Sequence, residues 1–214
     1  MTDVIIPGGR DVRGALDEPA EDGADERESN ASGDGEAIVV ACPPHPQHGG
    51  SRTDPRLVAV SDALTGAGIA CLRFDYGPWD GGYGEREDVR NALRWAAERY
   101  DAVGLFGYSF GASEAVLAGA NLEDDRANLA GVVALAPTAR LADDLDVLEA
   151  LADLEAPIAV CYGERDATVE WEPVVDATAE RGGETVALPA DHFFVGQEAK
   201  VARTVRSLFE GWID

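Results

Sequence analysis

AVGLFGYSFGASEAVLAGANL, residues 102–122, decides how the rest of the chain is read. AVGLFG is a short, unbroken apolar run, the pattern of a strand buried on both faces. ASEAVLAGANL reads as a helix. Between them stands GYSFG, residues 107–111. A serine in Gly-x-Ser-x-Gly between a strand and a helix is forced onto a sharp turn, with its hydroxyl exposed above the sheet. Small residues on either side let neighbouring backbone come close. In a chain with 24 glycines the string alone is a modest signal, and its strand-to-helix setting is what strengthens it. A glycine-rich helix entry is the bland alternative.

Working outward, the chain alternates. Continuous apolar runs at AIVVAC (37–42), IACLRFDY (69–76), GVVALAP (131–137) and PIAVCYG (157–163) read as buried strands, with a shorter one at TVALP (185–189). Helical patterns separate them at 53–68, 85–100, 141–154 and 171–182, and a last helix spans 197–212. VIIP (4–7) and RGAL (13–16) suggest a short antiparallel start. Residues 17–36 hold nine acids and one Arg without periodicity, so they read as an exposed acidic loop inside a single domain, 1–214. Non-alternating strands joined by amphipathic helices predict an α/β fold: a mostly parallel sheet of about eight strands with helices on both faces. In such sheets chemistry sits at the carboxyl ends of the strands.

A serine hydroxyl is a weak nucleophile and needs a base. In this architecture the order is serine, acid, histidine. His192, in LPADHFF after the short strand, is the one histidine that follows Ser109. For the acid, position selects Asp166, in the turn that leaves PIAVCYG, with Glu164 as fallback. Asp191 stands beside His192, too close along the chain to orient it. The Phe110 N–H, at the start of the helix, is placed to receive a developing oxyanion. A second donor is expected from CPPHPQHGGS (42–51), whose prolines carry no N–H. Gln47 is selected there, with Gly49 the alternative. Trp79, Tyr83 and Phe194 are candidate pocket aromatics, and ordinary packing accounts for them equally well.

His45 and His48 raise the question of a metal. Pro44 and Pro46 oppose a regular helix, and no cysteine or carboxylate inside the motif completes a ligand set, so neither a metal nor another cofactor is expected. Cys42, Cys71 and Cys161 each fall in or beside an apolar run and read as buried thiols. Asp plus Glu number 41 against 17 Lys plus Arg, a formal charge of −24. Such a surface repels nucleic acid and anionic membranes, which sets both aside as partners. Lys200 is the one lysine, and carboxylates with almost no lysine resemble the proteins of salt-in halophiles. MTDVIIPGGRD has no basic start or long apolar core, so a cytoplasmic protein is expected.

GYSFG, GERD and DHFF, in that order after HPQHGGS, resemble the α/β-hydrolase superfamily, and more narrowly its small lid-less members similar to dienelactone hydrolases. The resemblance covers nearly the whole chain. It implies an α/β-hydrolase fold without a lid domain, Ser109 as nucleophile, Asp166 as acid, His192 as base and an oxyanion loop at His45 to Gly50. It implies cleavage of an ester or related acyl bond in a small-molecule substrate. The chain departs from the group at RFDYGPWDGGYGE, where Gly77-Pro78 replaces an Arg-Gly, and in the length of the acidic stretch. A ligand- or partner-binding protein on the same fold is the competing reading. The acyl substrate and the oligomeric state are not encoded in any motif.

Overall fold

A computed structural model of the protein describes residues 1–20, 37–120 and 129–213. Most of the expected acidic loop, 21–36, and the end of the helix expected at 112–122 lie outside the described residues. Asp17 belongs to a strand rather than to that loop. Its carboxylate accepts hydrogen bonds from Ser61 Oγ at 2.7 Å and from Arg73 Nε at 2.8 Å.

The core is an eight-stranded sheet. At one edge β2 (Val12–Asp17) runs antiparallel to both of its neighbours, β1 (Thr2–Ile6) and β4 (Ala70–Asp75). From β4 onward every pairing is parallel, through β3 (Ala37–Cys42), β5 (Ala102–Tyr108), β6 (Leu129–Leu135), β9 (Ile158–Gly163) and β10 (Glu184–Leu188). The strand order is β1-β2-β4-β3-β5-β6-β9-β10, which puts β5 near the middle. β3 is buried at all six positions, as its unbroken apolar run requires.

Helices cover both faces. α1 (Pro55–Thr65) and α6 (Glu198–Ile213) pack Leu57, Val60, Val201 and Val205 against one face. α2 (Tyr83–Ala97), α3 (Phe110–Gly119) and α4 (Val147–Asp153) pack Val89, Leu93, Val116 and Leu151 on the other, where α5 (Glu172–Glu180) adds Val174. Alternate residues of β3 feed the two cores: Ile38 and Val40 join the second, Val39 and Ala41 the first. Full burial of such side chains contributes about 1.5–3 kcal/mol each, so the two cores set the sheet's position between its helices.

Capping explains two helix starts. Asp54 accepts the Arg56 N–H at 2.9 Å, and Pro55 fits the first turn of α1. Gly82, at φ 100°, lets α2 begin before the expected residue 85, and the Glu85 carboxylate accepts its N–H at 2.8 Å. The helix expected at 141–154 needs correction. Its first part is a hairpin, β7 (Arg140–Ala142) with β8 (Leu145–Asp146), and α4 starts only at Val147. Asp146 is the reason: it accepts the N–H groups of Leu148 at 2.9 Å and Glu149 at 3.3 Å, and it pairs with Arg140. Between β6 and β9 the chain thus holds one hairpin and one short helix.

Candidate active site

β5 delivers Ser109 to the top of the sheet. The Ser109 backbone sits at φ 56°, ψ −120°, and α3 starts at the next residue. A non-glycine residue there costs on the order of 1–3 kcal/mol, which the surroundings must hold in place. They do so by close approach. A Cβ on Gly107 would lie 2.1 Å from Gly111 O, and one on Gly111 would lie 2.3 Å from Pro43 O. Both glycines of the motif are therefore required by backbone contact, and Ser109 N–H donates to Leu135 O at 2.8 Å.

His192 reaches this serine from the turn after β10. Its Nε2 lies 2.9 Å from Ser109 Oγ, and its Nδ1 lies 2.7 Å from Asp166 Oδ2. Asp166 stands in the turn after β9, closed by its own N–H on Gly163 O at 3.0 Å. Its other carboxylate oxygen, Oδ1, accepts the N–H groups of Thr168 at 2.8 Å and Val169 at 3.4 Å. The carboxylate is thus fixed on one side by backbone and turned toward His192 on the other. Parallel pairing runs on beyond the strand ends, with Glu164 N–H to Leu188 O at 2.9 Å and Arg165 N–H to Ala190 O at 3.0 Å. That extension keeps the two turns in register. Asp191 accepts the Phe193 N–H and shapes the histidine turn. Glu164 is exposed.

The loop after β3, expected to supply an oxyanion donor, differs from expectation at Gln47. Its N–H donates to His45 Nδ1 at 3.3 Å, within the loop. Gly49 N–H goes to Pro46 O at 3.2 Å, and those of His48 and Gly50 go to His45 O at 3.0 and 3.1 Å. A one-turn 3-10 helix, Pro46–His48, produces this pattern. Within residues 45–50 Pro46 has no N–H, and that of His45 is the one without a hydrogen-bond partner among the described residues. Phe110 N–H stands at the first position of α3, where helical N–H groups have no partner within the helix.

The two loop histidines stack on each other at 4.4 Å, and His45 also meets Trp79 at 4.6 Å and Phe110 at 4.9 Å. Among the described residues no group of three or more His, Cys, Asp or Glu side chains is placed to hold a metal ion. Cys42, Cys71 and Cys161 are all buried free thiols.

A cleft of ≈ 540 Å³ opens over Ser109 and His192. Its walls correct the expected aromatics. Phe194 is fully buried, at φ 49°, with its ring 6.2 Å from that of Tyr108, so it is core. Phe193 lines the cleft instead and is 55 % exposed. The order of two adjacent phenylalanines across a tight turn is set by that turn and carries no sequence signal. Trp79 packs on His45 in the loop after β3, and Tyr83 donates its hydroxyl to Asp144 across to the hairpin. Residues 138–141 contribute Thr138 and Leu141, and Asp54, Arg56 and Tyr108 add further walls. In the sequence those three look like a helix cap, a helix residue and a strand end, with no signal of a pocket.

Among solved structures, the chain is similar to a Xanthomonas campestris α/β serine hydrolase without a lid. The two share 22 % identity over 99 % of this chain and 94 % of that one, with a TM-score of 0.77. A dienelactone hydrolase from Anabaena variabilis matches at 22 % identity over 100 % and 97 %, TM-score 0.73. An esterase from Pyrococcus furiosus matches at 17 % identity over 100 % and 91 %, TM-score 0.76. The fold is therefore that of the lid-less α/β hydrolases. No protein-family model matches the chain, and no curated protein sequence does.

Proposed function

We propose that this protein is a serine hydrolase that cleaves an ester or related acyl bond in a small molecule. The observation that carries the reading is the hydrogen-bonded chain Ser109–His192–Asp166 across the ends of β5, β10 and β9. Chain order and geometry agree. Asp166 accepts from Nδ1, which leaves Nε2 free to take the Ser109 proton. Ser109 Oγ attacks the carbonyl carbon, and the electron pair moves onto the carbonyl oxygen. Phe110 N–H and His45 N–H are the donors assigned to that oxyanion. His192 then returns the proton to the leaving group, and an acyl-enzyme remains on Ser109. Water, deprotonated by the same imidazole, releases the acid.

The size of the cleft suits a small acyl substrate, and Phe193 with Leu141 gives it apolar walls. The esterase and hydrolase likenesses favour the same class. We treat the chain as one hydrolase domain acting in a salt-rich cytoplasm, consistent with its charge of −24. Among the described residues no helix is long and apolar enough to cross a membrane.

The test is a fluorophosphonate probe applied to the folded protein in molar KCl. Labelling at Ser109, lost in Ser109→Ala, is expected. Absence of labelling, or labelling that survives the substitution, would leave a binding role on this fold as the better account.

A further inference from the structure

Among the described residues that line the cleft, Arg56 is the one Arg or Lys. A lone guanidinium beside a nucleophilic serine would ordinarily be read as an anchor for an anionic substrate. Its surroundings argue otherwise. Nε donates to Asp54 Oδ1 at 2.8 Å, and Nη2 donates to Asp54 Oδ2, so the fork is filled by one carboxylate. Nη1 donates to Phe193 O at 2.8 Å, and the guanidinium carbon lies 4.4 Å over the Tyr108 ring. Both partners of the pair are nearly enclosed, with side chains 15 % and 8 % exposed.

We propose that Asp54 is a specificity-determining residue. By occupying Arg56 it leaves the cleft without a free cation and confines the enzyme to uncharged acyl groups. A carboxylate on the acyl chain would lose its hydration and meet Asp54 instead of a partner. The other polar walls do not compensate. Burial of the ring, then the neighbouring His48, lowers the pKa of His45, which disfavours its charged form. Thr138 and Thr168 offer hydroxyls without charge. The apolar walls, by contrast, accept an alkyl or aryl group readily. The inference rests on the serine-hydrolase reading and adds a substrate class to it.

The experiment compares p-nitrophenyl hexanoate with the mono-p-nitrophenyl ester of adipic acid, the same chain ending in a carboxylate. Molar KCl screens the general negative field of the protein and leaves local contacts to decide. The wild type is expected to prefer the neutral ester by about 100-fold in kcat/KM, the scale of an uncompensated like-charge contact. Asp54→Asn keeps a helix cap but releases Arg56, and should reduce that preference at least about 10-fold through faster cleavage of the adipate ester. The double variant Asp54→Asn with Arg56→Gln should lose the gain. Asp54→Ser, also a good cap, is the second variant if Asn folds poorly.

A wild type that cleaves both esters within about 3-fold of each other overturns the proposal, as does an unchanged preference in the released variants. Fluorophosphonate labelling of each protein separates the two levels. Labelled protein with an unchanged preference sinks the proposal alone. Protein that is neither labelled nor active on either ester sinks the hydrolase reading and the proposal with it.

Discussion

Tyr108, the residue before the elbow serine, donates its hydroxyl proton to the carbonyl oxygen of His192 at 3.0 Å. The strand that presents Ser109 thus also holds the backbone of the residue paired with it. Arg56 reinforces the link by donating to Phe193 O, one residue further along. Tyr108→Phe removes the first bond and keeps the ring. A hydrogen bond of this kind is worth about 1 kcal/mol net, so kcat should fall roughly 5-fold. KM should move little, since the hydroxyl is not assigned to the substrate. An unchanged kcat would show that Asp166 alone suffices to hold His192.

Gly111 separates the elbow from the oxyanion loop. A Cβ there would stand 2.3 Å from Pro43 O and 2.4 Å from Cys42 O, both backbone atoms. Neither can move without shifting β3 or α3. Gly111→Ala should therefore lower stability by about 2 kcal/mol or more, as overpacking of a tight contact does. Urea midpoints measure the loss. Activity should fall further than stability predicts, because the displaced atoms frame the oxyanion site. Wild-type stability in this variant would mean that the two elements are not in firm contact.

The mostly parallel sheet was legible because its strands are unbroken apolar runs between amphipathic helices. Ser109, Asp166 and His192 were legible as candidates for a related reason: each stands just past the end of such a run. Distance is what residue types alone do not supply, and the differences between sequence and structure arise there. The missing proline N–H groups point to Gln47 as a donor, but the 3-10 turn directs the Gln47 N–H to His45 Nδ1. The segment 141–154 has helical periodicity, yet Asp146 caps a shorter helix and frees residues for a hairpin. Phe193 and Phe194 are chemically the same, and only the turn decides which one is buried. Arg56 and Asp54 meet side by side at a helix start, a place where charges are usually taken for surface.

His48 and His192 differ in what they touch. His48 is exposed and stacks on His45, with no contact to Ser109 or Asp166. His192 bridges the two at 2.9 and 2.7 Å. His192→Ala should therefore reduce kcat by about 10³-fold or more. His48→Ala should cost less than about 10-fold, through loosening of the stacked loop. Steady-state kinetics on one ester suffices, and comparable losses would mean that the loop histidines take part in proton transfer.

Glu114 on α3 is fully buried, and neither carboxylate oxygen has a hydrogen-bond partner among the described residues. Burial, followed by the nearby Glu85, pushes its pKa well above the ordinary glutamate value. The folded protein therefore holds this proton after the unfolded chain has released it. The contribution to stability is fully present below the unfolded pKa, about 4.3, and is lost as pH rises through the raised folded value. Glu114→Gln is neutral at every pH. Its stability should be close to that of the wild type near about pH 5 and exceed it near about pH 8. Taking the difference between the two proteins cancels the titration of all other groups. A difference independent of pH would show that Glu114 is already ionised in the folded state.

A formal charge of −24, from 41 acids and 17 Lys plus Arg, makes self-repulsion the dominant long-range force on this fold. Several of the existing ion pairs are exposed, such as Arg13 with Asp11 and Arg99 with Glu98, and contribute little. The Debye length is about 8 Å in physiological salt and about 3 Å at 1 M, so molar salt removes most repulsion between separated carboxylates. Those weak exposed pairs are screened as well, but they have little stability to lose. The urea midpoint should therefore rise steadily from physiological to molar KCl. Urea is the right denaturant because guanidinium is itself a salt. KCl is the right salt because sulfate would also strengthen apolar burial. A midpoint that stays flat across that range would show that the carboxylate surface does not limit stability, and would remove the physical basis for reading it as an adaptation to salt.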